Sequence, residues 1–243
     1  MTITGTDVSV WQDNNTTPNI KIDFNTMRKA GARFCFIKAI QGVRIDQDFA
    51  DYWRDAKAAG IPRGAYLFLD WNVSARKQAE AYWALLKDDP GEFIHPIIDF
   101  EGWNNPPPTA LSLLRQVCTE VESVTGRIPM IYTSAGFFNE FGRGWDTAWK
   151  RYPLWIANYT TASVPLVPKP WGKSDWLFWQ YTSKGDGKLY GVESATVDLN
   201  RFNGDEAAFR KVFIMGESVT PVMPPDALDR LWAAHPELWP DVA

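Results

Sequence analysis

Cysteine and histidine are nearly missing from this chain: of 243 residues, two are cysteine and two histidine. Cys35 lies in a strand-like apolar run and Cys118 in a helix-like one, so both read as buried thiols and no disulfide framework is expected. With only His95 and His235 besides, no zinc-type ligand cluster can be assembled, and a site without metal or other cofactor is expected. No apolar stretch approaches the roughly 18 residues that span a bilayer, which argues against membrane insertion. The opening residues, Met1-Thr2-Ile3-Thr4-Gly5-Thr6, have neither the basic start nor the apolar core of a secretory leader as written. Blocks of Lys and Arg are also missing and the net charge is −4, so no nucleic-acid partner is expected.

What the chain does have is an ordinary globular balance, 45% hydrophobic and 22% charged, and a length suited to a single α/β barrel. Short apolar runs alternate with helical patterns. Strands are expected at Ile3–Val10, Arg33–Ala39, Gly64–Leu69, Phe93–Asp99, Ile128–Tyr132, Pro153–Ala157, Trp176–Tyr181 and Ala195–Leu199. Between them, Phe49, Tyr52, Trp53 and Ala56 recur at i, i+3, i+4, i+7 ahead of Gly60 and Pro62. Ala79, Tyr82, Trp83 and Leu86 follow Ser74 as an N-cap, and Leu111, Leu114, Cys118 and Val121 precede Gly126. Shorter helices are expected at Phe24–Ala30 and Asp205–Phe213. Eight strands with helices missing between the later ones predict an irregular, TIM-like (β/α) barrel with fewer than eight helices. This barrel is expected to fill residues 1–215, with 216–243 forming a Pro-rich linker and a short helix.

The most telling segment is His95-Pro96-Ile97-Ile98-Asp99-Phe100-Glu101, an apolar run ending in two carboxylates at i, i+2. On a strand both would project from the same face. Acids placed so close cannot both ionise freely, which keeps one of them protonated near neutral pH as a general acid. Acetal cleavage is the chemistry that this suggests, although the spacing alone is weak evidence.

Active sites of parallel barrels form at the carboxyl ends of the strands. Polar residues expected there are Asp7, Asp70, Asp99, Glu101, Asn158, Gln180 and Asp198. Tyr66, Trp71, Trp103, Tyr132, Trp155, Tyr159 and Trp179 fall near the same rim, and the chain holds 13 Trp, whose rings stack on sugar faces but also fill cores. Asp7 and Asp198 could equally cap helices or satisfy strand ends.

Several ordered motifs resemble those of the family 25 glycoside hydrolases, lysozymes that cleave peptidoglycan between N-acetylmuramic acid and N-acetylglucosamine. They begin with Gly5-Thr6-Asp7-Val8-Ser9-Val10-Trp11-Gln12, Phe36-Ile37-Lys38-Ala39 with Gly42, and Ala59-Gly60-Ile61-Pro62-Arg63-Gly64-Ala65-Tyr66. Pro96–Glu101, Ile131-Tyr132-Thr133, Pro153–Ala157, Trp179-Gln180-Tyr181 and Val197-Asp198-Leu199-Asn200 follow. The resemblance implies that Glu101 protonates the leaving oxygen. It gives Asp99 the substrate 2-acetamido group, in a substrate-assisted retaining mechanism, and Asp7 and Asp198 the sugar hydroxyls, Asp99 or a water. Direct attack by Asp99, or inversion, would need the same residues in other roles. Tyr66, Tyr132, Trp155, Asn158, Gln180 and Gln41 are the expected substrate-binding residues. Two departures stand out: the family commonly carries an acid at the position of Gln41 and often a His at that of Leu67.

The resemblance makes bacterial peptidoglycan glycan strands the expected partner of a monomeric enzyme acting on the cell wall, of endolysin or autolysin type. With no leader as written, either phage-type release or a secreted form lacking its signal fits. The alternative is a catalytically silent barrel that binds wall glycan, against which the four acids argue. A chitinase-type barrel is disfavoured because Phe93–Ile97 lacks the acids of its D-x-x-D-x-D-x-E signature.

Overall fold

The computed structural model describes residues 2–13, 22–102 and 105–213. The expected linker and helix at 216–243, and Trp103, lie outside the described residues. Nine strands form one sheet: β1 (Thr4–Val8), β2 (Cys35–Gln41), β3 (Arg44–Ile45), β4 (Arg63–Phe68), β5 (Ile97–Asp99), β6 (Met130–Ser134), β7 (Leu154–Ala157), β8 (Phe178–Asp186) and β9 (Thr196–Phe202). Eight of them close a barrel in the order β1, β2, β4, β5, β6, β7, β8, β9, and the two-residue β3 pairs only with the end of β2. The described residues also form six α-helices: α1 (Phe24–Lys29), α2 (Phe49–Ala58), α3 (Ala75–Leu86), α4 (Ala110–Thr125), α5 (Ala135–Phe141) and α6 (Glu206–Arg210).

The barrel is mixed. From β1 through β2, β4, β5, β6, β7 to β8 neighbours run parallel, whereas β9 is antiparallel to both β8 and β1. A parallel return needs a crossover of a dozen or more residues, and only the short loop 187–195 joins β8 to β9, so the strand must double back. The expected strand at Phe93–Asp99 is shorter than its apolar run. Only Ile97–Asp99 joins the barrel, and Phe93 makes an isolated bridge to Phe213 instead.

Alternation of side chains divides the chain between two cores. Outward residues such as Cys35, Ile37 and Ala39 of β2 pack under the helices, which add Phe49, Tyr52 and Ala56 from α2 and Leu114, Cys118 and Val121 from α4. Both cysteines are buried free thiols, as expected. Inward residues at the lower end make an aromatic plug in which Phe34, Phe36, Phe93, Phe178 and Phe209 stand 5.0–6.3 Å apart between ring centroids. Rings this large fit because Gly5 and Gly64 face them; a Cβ would come within 2.5 Å of the Phe34 carbonyl at Gly5 and within 2.8 Å of the Phe36 ring at Gly64. The plug is the floor of whatever opens above it.

Below the plug, Arg63 is fully buried at the amino end of β4. Its guanidinium reaches Asp89 at 3.0 Å and Glu92 at 2.8 Å, and lies 4.3 Å from the Trp53 ring centroid.

Candidate active site

β1, β2 and β5 run from apolar to polar along their inward faces. On β1 and its approach the inward residues are Ile3, Gly5 and Asp7; on β2 and its approach, Phe34, Phe36 and Lys38; on β5 and its exit, Ile97, Asp99 and Glu101. Phe100 points the other way, packing on Phe137 at 5.0 Å and Trp71 at 5.9 Å, so the i, i+2 carboxylates do share one face. On β9 the order is reversed, Asp198 then Asn200 then Phe202, and its antiparallel direction brings Asp198 to the same end as the others. A cavity of about 280 Å³ results, with Asp7, Asp99, Glu101 and Asp198 all in its wall. Tyr66, Tyr132, Trp155, Tyr159, Gln180 and Lys38 complete much of the lining, and Trp11 stands at the mouth, 75% exposed.

Asp7 is held by amides rather than by cations. Gln180 Nε2 donates to both of its oxygens, at 3.1 and 2.9 Å, and Asn200 Nδ2 donates to Oδ2 at 2.7 Å. Each amide is oriented in turn: Trp155 Nε1 donates to Asn200 Oδ1 at 2.8 Å, and the Tyr132 and Tyr159 hydroxyls donate to Gln180 Oε1 at 2.9 and 2.7 Å. An amide whose oxygen is thus occupied can present only its N–H groups to Asp7. Asp99 is the opposite case. Its Oδ1 is buried and has no hydrogen-bond partner among the described residues.

Burial raises the proton affinity of all four acids. It pushes Asp7 up to about 6, against the hydrogen bonds from Asn200 and Gln180. Burial also takes Glu101 up to about 7, with the charge of Asp7 adding and Lys38 opposing. Asp198 is pushed up to about 8 by burial and then by Asp7 and Glu101. Asp99 rises well above the ordinary carboxylate range, through burial first and the charge of Glu101 second. Lys38 supplies the countercharge while burial lowers its own proton affinity. Such a cluster holds protonated carboxyl groups near neutral pH, which is what protonating a leaving oxygen requires.

The sequence pattern of the glycosyl hydrolases family 25 matches residues 6–188. The chain belongs to this family. It is 32% identical over 227 residues to the uncharacterised protein YegX of Escherichia coli O157:H7, covering 90% of this chain and 76% of that protein. To Lysozyme M1 of Streptomyces globisporus it is 30% identical over 220 residues, covering 84% and 69%. Its fold superposes on the bacterial lysozyme of Streptomyces coelicolor with a TM-score of 0.72 at 29% identity, covering 87% of this chain and 97% of that one. This family 25 chain is a glycoside hydrolase of the lysozyme kind.

Within this family 25 barrel, nine of the ten residues expected at the site from the sequence line one of two connected hollows. Asp7, Asp99, Glu101, Asp198, Tyr66, Tyr132, Trp155 and Gln180 surround the cavity itself. Gln41 lines an adjoining groove of about 440 Å³ that shares Trp11, Lys38, Phe68 and Glu101 with the cavity. Asn158 stands apart. Its Oδ1 accepts from Leu166 N at 2.9 Å, and it is not part of either lining, so it shapes the loop after β7. Three other residues expected at the rim are placed elsewhere. Asp70 closes a local turn by accepting from Asn72 N at 2.9 Å. Trp71 packs on Phe100 and Phe137. Trp179, one residue out of phase with Gln180, faces the outer core and donates to the Asn158 carbonyl at 2.7 Å.

Lys38 and Asn200 were not singled out from the sequence. Lys38 sits in an apolar run, and its signal is that it follows Phe34 and Phe36 at period two. Asn200 lies just past the expected end of the last strand at Leu199; extending the alternation by one residue would have put it beside Asp198.

Proposed function

We propose that the chain hydrolyses the β-1,4 bond between N-acetylmuramic acid and N-acetylglucosamine in peptidoglycan, with Glu101 as the general acid. The observation that carries this reading is the presence of four carboxylates in one cavity, Asp7 and Asp99 buried and Glu101 and Asp198 half-buried, with Glu101 raised to about 7. Likeness to Lysozyme M1 supports the substrate class. In the first step Glu101 gives its proton to the glycosidic oxygen as the C1–O bond breaks. The carbonyl oxygen of the substrate's own 2-acetamido group closes on C1, and Asp99, whose Oδ1 lacks a partner, accepts the hydrogen bond of the acetamido N–H. Glu101, now ionised, takes a proton from the water that reopens the ring. Asp7, fixed by Gln180 and Asn200, and Asp198 opposite it hold sugar hydroxyls or the water.

A silent glycan binder would use the aromatic wall and gain nothing from carboxylates that cost free energy to bury. The deciding experiment is reducing-end release from purified peptidoglycan, with mass spectrometry of the products, by this chain and by Glu101→Gln. Fragments ending in muramic acid, lost in the variant, are expected. No release by the folded wild-type protein from several wall types would overturn the reading.

A further inference from the structure

The groove beside the cavity carries two cations, Lys38, which offsets the acids of the cavity, and the exposed Arg44. Lys38 Nζ and Arg44 Nη2 both donate to the single oxygen of Gln41, at 3.3 and 3.4 Å. A neutral amide oxygen orients two cations without neutralising either, and the two repel: Arg44 lowers the proton affinity of Lys38. Arg44 is exposed on β3 and forms no ion pair among the described residues, so most of its donors are unused. Two acids share the groove wall: Glu101, whose charge Lys38 offsets, and Asp46, which is already engaged. Its Oδ2 accepts from Val10 N at 3.3 Å and its Oδ1 from Asp48 N at 3.2 Å, tying the β2–β3 hairpin to the turn that carries Trp11. The groove also exposes apolar surface, with Ile45 53% and Trp11 75% accessible, and it is continuous with the cavity through Glu101.

A strand of peptidoglycan presents, on every second sugar, a lactyl arm that is itself a carboxylate or carries a peptide bearing carboxylates. We infer that Arg44 and Lys38, aligned by Gln41, bind a carboxylate of this arm in the groove beside the cleaved bond. The inference rests on the peptidoglycan reading above. A planar guanidinium matches a carboxylate bidentately, and the alanyl or lactyl methyl next to that carboxylate would lie on Ile45 and Trp11.

The test uses monosaccharide probes, which contain no bond to cleave and therefore report binding apart from catalysis. They are N-acetylmuramic acid, its lactyl methylamide, and N-acetylmuramic acid carrying an alanyl-glutamate dipeptide. Their binding is followed by NMR at the Trp11 indole and Arg44 guanidinium signals. The methylamide is expected to bind about fivefold more weakly than whichever acid is the better ligand, and the ranking of the two acids tells a lactyl from a peptide carboxylate. Arg44→Gln is expected to bring the acids down to the methylamide, Arg44→Lys to retain part of the difference, and Gln41→Glu to reduce it, its own carboxylate competing for the donors of Arg44 and Lys38. Equal affinity for all three probes, no binding of any, or an equal loss for all three in Arg44→Gln would overturn the inference. Wall hydrolysis without discrimination among probes leaves the peptidoglycan reading standing and removes this one. Discrimination by a protein that releases no fragments keeps the anion site and removes the hydrolytic reading.

Discussion

Asp7 and Asp198 face each other directly across the antiparallel pair β1–β9, at a position where like charges on neighbouring strands are ordinarily avoided. Asp7 carries the amide hydrogen bonds, and Asp198 is left to hold its proton up to about 8. The pair is thus divided into a fixed, more readily ionised member and a protonated one.

This division has a stability signature. The carboxyl of Asp198 is raised from 3.8 to about 8 on folding. Below its unfolded value it is protonated in both states, and its contribution is fully present. As pH rises through the folded value, the unfolded chain has already ionised and the contribution is lost. Wild type is therefore expected to lose stability relative to Asp198→Asn between about pH 4 and pH 8. Urea denaturation of both proteins across that range checks it; a constant difference would contradict it.

Activity has a pH signature of its own. If Glu101 is the proton donor, kcat/KM falls above about pH 7, approaching tenfold per pH unit. Removing the charge of Asp7, which helps to raise Glu101, moves this limb to lower pH. Residual activity of Asp7→Asn measured over the same range provides the comparison.

Asn200 connects Trp155 to Asp7. Asn200→Leu leaves the indole N–H of Trp155 unpaired inside the barrel and takes one donor from Asp7, at a cost of about 2 kcal/mol. Denaturant unfolding should show that loss, and kcat should fall with it because Asp7 is then held by Gln180 alone.

Arg63 separates stability from catalysis. It lies at the opposite end of β4 from the cavity, fully buried between Asp89 and Glu92. Arg63→Met is expected to cost about 3 kcal/mol by breaking that network. At temperatures where the variant remains folded, its KM should equal that of wild type. A change in KM would mean that the two ends of the barrel are coupled.

Much of this architecture was legible because barrel strands and their covering helices have distinct periods. The i, i+3, i+4, i+7 apolar set of α2 and the glycine-ended α4 appear where the pattern puts them, and Gly126 adopts φ +68° as a helix-ending residue. The i, i+2 reading of Asp99 and Glu101 held because strand alternation is local. Direction is not local: nothing in the composition of Thr196–Phe202 says that it runs downward, although its inward residues go from polar to apolar while those of β1 go from apolar to polar. β3, at two residues, is too short for a period to show, and α5 follows β6 directly, with only Ser134 to mark the change. Trp71 and Trp179 illustrate a different limit, since an aromatic at a strand end has the same composition whether it faces the barrel or the helices.

The hydrogen bond between Asn200 and Asp7 joins residues 193 positions apart. The acid that enters the site from the first strand therefore waits for β8 and β9 before both of its amide partners exist. Without β9, Asp7, Asp99 and Glu101 belong to a sheet that is not closed. Only closure by β9 completes the wall. A hydrolase built in this way acquires its working pocket only when β9 is in place, and fragments cut short before Asp198 cannot assemble it.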